Sequence, residues 1–264
     1  MAYLGNPVAV VHDADGLTAQ QMQRFAKWTN LAETTFLLRP STASADYRVR
    51  IFSATQEFPF AGHPTLGSAR AWLEAGGVPR SAGEIVQECG AGLVRVRFEG
   101  TRFAFEAPPL TRFETVSERE LAPIAAALRI DRSRIVAASW LVNGPEWIGV
   151  RLASAAEVLA LRPDPADLGS LSIGVFGEHE PGHPTRFEVR AFLGDDPVWE
   201  DPITGSLNAG LAYWLRESGE VSQGYTAAQG TVIGHQGRVH VSYEGDRIWV
   251  GGDTMMCVDG QVAL

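Results

Sequence analysis

The stretch that decides the fold occurs twice: Glu57–Gly76 reads EFPFAGHPTLGSARAWLEAG, and Glu200–Gly219 reads EDPITGSLNAGLAYWLRESG. The two copies align without a gap. A single duplication at this long spacing predicts two similar halves rather than a solenoid of many repeats. The residues that the copies share include Glu57 and Glu200, Pro59 and Pro202, Gly62 and Gly205, Gly67 and Gly210, Ala69 and Ala212, and Gly76 and Gly219.

The match continues on both sides of these copies. Downstream, Phe98-Glu99-Gly100 followed by Arg102 corresponds to Tyr243-Glu244-Gly245 followed by Arg247. Upstream, Gly5-Asn6-Pro7 has a looser echo in Asn143-Gly144-Pro145. The competing explanation is that small residues match by coincidence. Separate blocks that match in the same order argue against coincidence.

Each half combines strands with one strongly apolar helix. Pro at the first turn and Gly past the end predict helices over Pro64–Ala75 and Ser206–Glu217. Because these helices are apolar nearly all round, they should be buried, and a curled sheet wrapped around each would bury them. The predicted class is therefore α+β, with two pseudo-symmetric lobes, each a barrel-like sheet around a central helix. The predicted strands are Glu33–Leu38, Tyr47–Phe52, Phe187–Phe192 and the hairpins Val94–Phe98 with Arg102–Glu106 and Arg238–Tyr243 with Arg247–Val250.

Length and composition agree with two lobes of ordinary size. The chain has 264 residues, of which 45% are hydrophobic. We place the first lobe at 1–109, ending at the Pro-rich Ala107-Pro108-Pro109, and the second at 110–254. Residues 255–264 would form a terminal strand that could return to the first lobe. One helix at the start is also predicted, because Thr18 and Gln21 form a capping box before Met22, Phe25, Ala26 and Trp28.

The charge and the cysteines narrow the class of partner. A net charge of −9 argues against nucleic acid and anionic membranes, and favours a small molecule or a protein. No apolar run is long enough for a membrane helix, and no signal peptide opens the chain. Cys89 and Cys257 do not make a disulfide framework, so reduced thiols in the cytoplasm are the simplest interpretation.

The turn before each central helix is the candidate binding site. A helix start exposes unpaired N–H groups and carries partial positive charge, and Gly62 or Gly205 would let a ligand approach that backbone closely. Two equivalent starts could therefore bind one carboxylate. An ordinary helix entry, capped by Thr204 or Ser206, explains either turn alone. The duplication, with His63 in one copy and Asp201 in the other, favours a site.

Four short motifs stand out along the chain: Gly5-Asn6-Pro7, Leu31-Ala32-Glu33-Thr34-Thr35-Phe36, Phe58–Gly67 and Glu200–Ser206. Together they resemble the PhzF family of phenazine-biosynthesis-like isomerases. The similarity runs along nearly the whole chain. It implies the diaminopimelate-epimerase fold, with the site between two pseudo-symmetric lobes, and a homodimer.

The resemblance also implies an activity and the residues that perform it. The family's type reaction isomerises a cyclic dihydro-hydroxyanthranilate by moving a proton between carbons, without a metal or an organic cofactor. Glu33 falls on the catalytic carboxylate position. The other two predicted catalytic residues are His63 and Asp201, and the predicted substrate-binding residues are Gly62, Gly205 and Ser206. Such a base needs a pKa raised toward neutrality, which burial beside apolar neighbours such as Leu31 and Phe36 would supply.

Two departures from the family pattern bear on activity. The serine that commonly precedes the catalytic glutamate is Ala32, so one hydroxyl near the base is missing. The family also has a strand before Gly-Asn-Pro, for which this chain has only Met1–Leu4, whereas the second half keeps its counterpart in Ile135–Val142. We expect the first lobe to have one strand fewer than the second.

Other enzyme classes fit less well. Racemases of this fold place a Cys before each paired glycine, but Ala61 and Thr204 stand there, which argues against two-thiol inversion. His179-Glu180-Pro181-Gly182-His183 spells a zinc-protease motif that works only on a helix, and its Pro and Gly disfavour one. Gly90-Ala91-Gly92 is too short for a dinucleotide fingerprint.

A protein that binds a small carboxylate without turning it over stays open as an alternative, and Ala32 gives it weight. For the enzyme, the expected substrate is a small carboxylic acid that carries an amino or hydroxyl group beside an unsaturated carbon. The sequence does not identify which acid or which pathway.

Overall fold

The computed structural model describes residues 2–194 and 198–264. The chain divides into two compact units, Met1–Glu106 with Gly251–Leu264 and Ala107–Val250. Each unit contains a mixed sheet and one long apolar helix, so the α+β class is confirmed. Residues 255–264, where we expected a terminal strand, have no regular secondary structure. No helix among the described residues is long and apolar enough to span a bilayer.

Unit 1 has seven strands before the chain leaves it. Their order in the sheet is β1-β2-β3-β5-β6-β7, and β4 pairs with β3. β1 with β2 and β3 with β5 are parallel pairs, and the other pairs are antiparallel. The strands are β1 (Val8–Val11), β2 (Glu33–Leu38), β3 (Tyr47–Phe52), β4 (Glu57–Phe58), β5 (Glu84–Cys89), β6 (Gly92–Glu99) and β7 (Arg102–Glu106).

Two helices accompany this sheet, α1 (Ala19–Thr29) and α2 (Gly62–Glu74). The capping box of Thr18 and Gln21 is present at the start of α1. The predicted apolar face is wrong in one residue. Met22 and Ala26 are buried, but Trp28 is 78% exposed, because six residues after Met22 it lies on another side of the helix. Its indole stacks on Phe25 at 5.9 Å between ring centroids.

Unit 2 repeats the pairing scheme with strands added at its start. The order is β8-β9-β10-β11-β12-β14-β15-β16, and β13 pairs with β12. β10 with β11 and β12 with β14 are the parallel pairs. The strands are β8 (Arg112–Thr115), β9 (Ala137–Val142), β10 (Glu146–Arg151), β11 (Ser172–Glu178), β12 (Phe187–Leu193), β13 (Glu200–Asp201), β14 (Tyr225–Gln229), β15 (Gly237–Glu244) and β16 (Arg247–Asp253), of which Gly251–Asp253 belong to unit 1.

The scheme locates the difference between the beginnings of the two units. In unit 2, β8 and β9 both precede β10, and β9 runs antiparallel beside it, whereas only one additional strand was expected there. In unit 1, β1 stands at the end of the strand order, and residues 2–7 contain no strand beside it. The helices of unit 2 are α3 (Glu118–Ala127), α4 (Ala155–Ala160), α5 (Pro165–Leu168) and α6 (Gly205–Glu217).

The central helices α2 and α6 are built alike. Each begins at the glycine of its turn and spans 13 residues. Each ends in a Schellman motif, where Gly76 at φ +89° and Gly219 at φ +74° take the left-handed conformation. Most of α6 is fully buried, including Leu207, Leu211 and Leu215, and α2 buries Leu66, Ala69 and Ala71. Burial of both helices was predicted from their apolar circumference.

Candidate active site

The site in unit 1 is formed where β2 begins and α2 begins. Glu33 is the first residue of β2 and pairs with Val8 of the parallel strand β1. His63 is the second residue of α2. Its Nε2 lies 3.3 Å from Oε2 of Glu33, and the two side chains are 14% and 17% exposed. A carboxylate and an imidazole that are mostly shielded, yet still reachable by solvent, suit proton transfer.

The chain before β1 supplies a third polar side chain to this pair. Nδ2 of Asn6 lies 3.2 Å from Nδ1 of His63. The imidazole is therefore contacted at both of its nitrogens, by Asn6 on one side and Glu33 on the other. The contact at Nδ1 restrains the orientation of the ring beside Glu33.

A buried amide holds the first turn of α2 in place. Nε2 of Gln87 donates to Oγ1 of Thr65 at 3.0 Å, and the Tyr47 hydroxyl donates to Oε1 of Gln87 at 2.9 Å. Gln87 and Thr65 have no exposed surface. Burial raises the pKa of Tyr47 well above its ordinary value, so its hydroxyl stays a donor. Because His63 is in the same turn as Thr65, this network positions the imidazole indirectly.

In unit 2, Asp201 ends the short strand β13, and its carboxylate is held from the next turn. Oγ1 of Thr204 donates to Oδ2 of Asp201 at 2.6 Å. Thr204 is also the N-cap residue of α6. Its hydroxyl accepts from Nε2 of Gln229 at 2.9 Å, and its backbone N–H donates to Oε1 of the same amide at 3.1 Å. Asp201 thus receives a charge-assisted hydrogen bond in a fixed direction.

Ser206 is largely buried, and two neighbours fix it. Nε1 of Trp147 donates to its hydroxyl at 3.0 Å, and Nδ2 of Asn143 donates to its carbonyl at 2.9 Å. Asn143 and Asn6 belong to the two Asn-containing motifs that echo each other in the sequence. Each contacts the residue after the helix glycine, His63 in unit 1 and Ser206 in unit 2.

The structure brings part of the predicted set together within each unit. Glu33, His63 and Gly62 lie together in unit 1, while Asp201, Gly205 and Ser206 lie together in unit 2. Asn6 and Gln229, which contact these groups, were not predicted from the sequence, and Thr204 was expected only as a possible helix cap. Asn6 could have been found from its echo in Asn143, whereas nothing near Gln229 in the sequence marks it.

The zinc-protease motif is not on a helix, and the two cysteines are not at the helix entries. His179–His183 is an irregular turn after β11, its two rings stack at 3.8 Å, and Glu188 lies 3.2 Å from Nε2 of His179. Within residues 2–194 and 198–264, no group of three or more His, Cys, Asp or Glu is placed to hold a metal ion. Burial raises the pKa of the Cys89 thiol, which makes it a poor nucleophile.

Comparison with known proteins identifies the relatives of this arrangement. The family model described as phenazine biosynthesis-like protein matches residues 1–261. "Antisense-enhancing sequence 1" of Schizosaccharomyces pombe is 35% identical, over 98% of this chain and 94% of that protein. The trans-2,3-dihydro-3-hydroxyanthranilate isomerase of Pseudomonas aeruginosa is 34% identical, over 91% of this chain and 86% of the enzyme.

A solved structure has the same fold. The crystal structure of a phenazine biosynthesis protein from Enterococcus faecalis aligns with a TM-score of 0.81, over all of this chain and 95% of that one. Its identity of 22% supports the fold alone. The family model and the curated relatives confirm the resemblance drawn from the four sequence motifs.

Proposed function

Since the chain belongs to the phenazine biosynthesis-like protein family and is a small-molecule isomerase, we propose that it moves a proton between two carbons of a small carboxylic acid. The expected substrate is cyclic and carries an amino or hydroxyl group beside an unsaturated carbon. The observation that carries the proposal is the approach of Glu33 to His63 at 3.3 Å. The family resemblance implies a catalytic carboxylate at Glu33, and an imidazole next to that carboxylate supports the role.

Glu33 acts as the single general base and acid. Its carboxylate takes a proton from an activated carbon, and the electron pair of that C–H bond moves into the adjoining unsaturated system. The double bond shifts, and the protonated Glu33 returns the proton to another carbon on the same face. The substrate keeps its composition and the carboxylate is restored, so no co-reactant is consumed.

His63 and Asp201 position the polar groups of the substrate and stabilise charge that develops on them. The Thr204 hydroxyl supports this role for Asp201, because its hydrogen bond holds the carboxylate in one direction. Binding of the substrate carboxylate is assigned to the helix entries at Gly62, Gly205 and Ser206. In α2, helical hydrogen bonding begins with Thr65 N–H to the Ala61 carbonyl, so the helix itself does not use the N–H groups of Gly62 and His63. The protein is also proposed to be a homodimer, which sedimentation equilibrium would test against the 28.5 kDa chain mass.

Exchange of substrate hydrogen in D₂O tests the role of Glu33. The first probe is trans-2,3-dihydro-3-hydroxyanthranilate, followed by other small cyclic amino and hydroxy acids, with deuterium incorporation read by mass spectrometry. Glu33→Gln keeps the shape and removes the base, so turnover and exchange should fall by about a hundredfold or more. His63→Ala and Asp201→Ala should cost less in kcat and more in KM.

The controls separate loss of the base from loss of the fold. Circular dichroism and thermal melting of Glu33→Gln should match those of the parent. If Glu33→Gln exchanges deuterium as fast as the parent, Glu33 is not the base. If a probe binds the parent but exchanges no hydrogen, a protein that binds its ligand without catalysis becomes the better description.

A further inference from the structure

We propose that Asn6 is a positioning residue that sets the protonation state of His63, and through it the basicity of Glu33. The inference rests on the proposed role of Glu33. The observation behind it is that the imidazole of His63 lies between two groups. The Asn6 amide approaches Nδ1, and the Glu33 carboxylate approaches Nε2.

The amide contact decides which nitrogen of the ring carries the proton. Nδ2 of Asn6 is 3.2 Å from Nδ1 of His63, and an amide nitrogen can only donate. Nδ1 must then be the acceptor, so it has no proton of its own. In a neutral imidazole the single proton therefore sits on Nε2, the nitrogen that faces Glu33.

This assignment has a consequence for the carboxylate. A neutral imidazole 3.3 Å from Glu33 places no full positive charge beside the carboxylate. An imidazolium at 3.3 Å would favour the ionised carboxylate and make Glu33 a weaker base. By occupying Nδ1 with a donor, Asn6 disfavours a second proton on the ring. The carboxylate beside a neutral ring thus remains able to accept a proton from carbon.

The second unit shows what the same motif does without a titratable neighbour. Asn143, in the corresponding motif, donates to the backbone carbonyl of Ser206 at 2.9 Å. A carbonyl has no alternative protonation state, so Asn143 can only position its partner. Asn143→Ala is therefore the matched control for Asn6→Ala, since each removes one amide donor at a helix entry.

The test reads the state of His63 directly. ¹⁵N-histidine is incorporated into the full chain, and the signal of His63 among the six histidines is identified by its loss in His63→Gln. At one neutral pH, the parent should show a protonated Nε2 and an unprotonated Nδ1. Asn6→Asp should show both nitrogens protonated, because a carboxylate accepts from Nδ1–H. Asn143→Ala should leave the His63 signals unchanged.

Kinetics with the substrate found in the deuterium screen complete the test. Asn6→Ala and Asn6→Asp should each lower kcat by about ten- to a hundredfold, the range for a residue that orients another, with little change in KM. A proton on Nδ1, or an imidazolium, in the parent would overturn the proposal even if neither variant folds. In that case Glu33→Gln could still be inactive, so the role of Glu33 would stand although the role of Asn6 fails. If the ring states are as expected but Glu33→Gln stays active, the role of Glu33 fails instead.

Discussion

At the scale of single residues, the position before each central glycine decides which chemistry the helix entry can support. Related racemases would carry a thiol there. In this chain Thr204 donates to the Asp201 carboxylate at 2.6 Å and accepts from the buried amide of Gln229. A thiol is a weak donor and could not hold a carboxylate as firmly. The position therefore fixes an acid group instead of supplying a nucleophilic sulfur.

Thr204→Val tests this account, because valine keeps the branched shape and removes only the hydroxyl. The free energy of unfolding should fall by about 1.5–3 kcal/mol, since a hydrogen bond to a charged group is lost and a donor of Gln229 is left unpaired in the interior. Urea unfolding followed by tryptophan fluorescence gives the value. Thr204→Ser, which keeps the hydroxyl, is the control. A valine variant as stable as the serine variant would contradict the role of the hydroxyl.

The residues of the site differ in how far the sequence could reveal them. Glu33, His63 and Asp201 were predicted because they fall within motifs, and their catalytic roles remain predictions. Gln229 was missed because its role depends on register: it pairs with Val189 across the parallel strands β12 and β14, far from Thr204 in the chain. Gln87 plays a similar role for Thr65 in unit 1. Buried amides of this kind become visible only when distant strands are in place.

At the scale of elements, a pair of side chains braces each of the two-residue strands. Arg50 makes a two-bond ion pair with Glu57 of β4, and Arg190 makes the same pair with Glu200 of β13. In each unit a phenylalanine two residues after the arginine, Phe52 or Phe192, pairs with the glutamate across the strands. The guanidinium carbon lies over the ring of that phenylalanine, at 5.2 Å from the centroid in unit 1 and 4.8 Å in unit 2. The sequence indicated the matched glutamates, but not their arginines.

The two braces should differ in energy because they differ in burial. Side chains of Arg50 and Glu57 are 22% and 42% exposed, whereas those of Arg190 and Glu200 are 2% and 3% exposed. Glu57→Gln should cost at most about 1 kcal/mol, the range of surface pairs. Glu200→Gln should cost about 3–5 kcal/mol, because it leaves the Arg190 charge buried without its partner.

Urea unfolding of both variants measures this difference, and each serves as the control for the other. High salt should reduce the difference in free energy of unfolding between the parent and Glu57→Gln, because salt screens an exposed ion pair. The difference between the parent and Glu200→Gln should stay nearly the same, because a buried pair is screened little. Equal losses in the two variants would show that burial does not govern the strength of these pairs.

Regular elements followed the sequence where local chemistry determines them. The strands Glu33–Leu38 and Tyr47–Phe52 have the predicted bounds, and both Schellman glycines end their helices as the Gly signal indicated. The strands β4 and β13 were not predicted, since two residues give no period to detect. Trp28 was misplaced because its spacing from Met22 was only approximately helical.

At the scale of the whole chain, the order of strands is the part that the sequence could not supply. Apolar helices with strands around them predict an α+β class, but pairing between β3 and β5, or β12 and β14, joins segments that lie far apart. The path of β16 is another example. It begins in unit 2, and from Gly251 onward it belongs to unit 1. A β-carbon at Gly251 would lie 2.4 Å from the carbonyl oxygen of Phe103, so that stretch packs closely on β7.

This path predicts where the end of the chain can be shortened. Residues 255–264 are exposed and irregular, while the N–H of Thr254 donates to the carbonyl of Thr101 at 2.8 Å. Removing residues 256–264 should change the free energy of unfolding by less than about 0.5 kcal/mol, because no buried group or ladder hydrogen bond is lost.

Removing residues 251–264 should leave unit 1 without the strand beside β7, and the protein should become insoluble or lose its cooperative transition. Urea unfolding of the shorter deletion, with expression in the soluble fraction for the longer one, makes both measurements. A large loss on removing 256–264 would mean that the tail contacts a surface, such as that of a second copy, and the burial argument would fail.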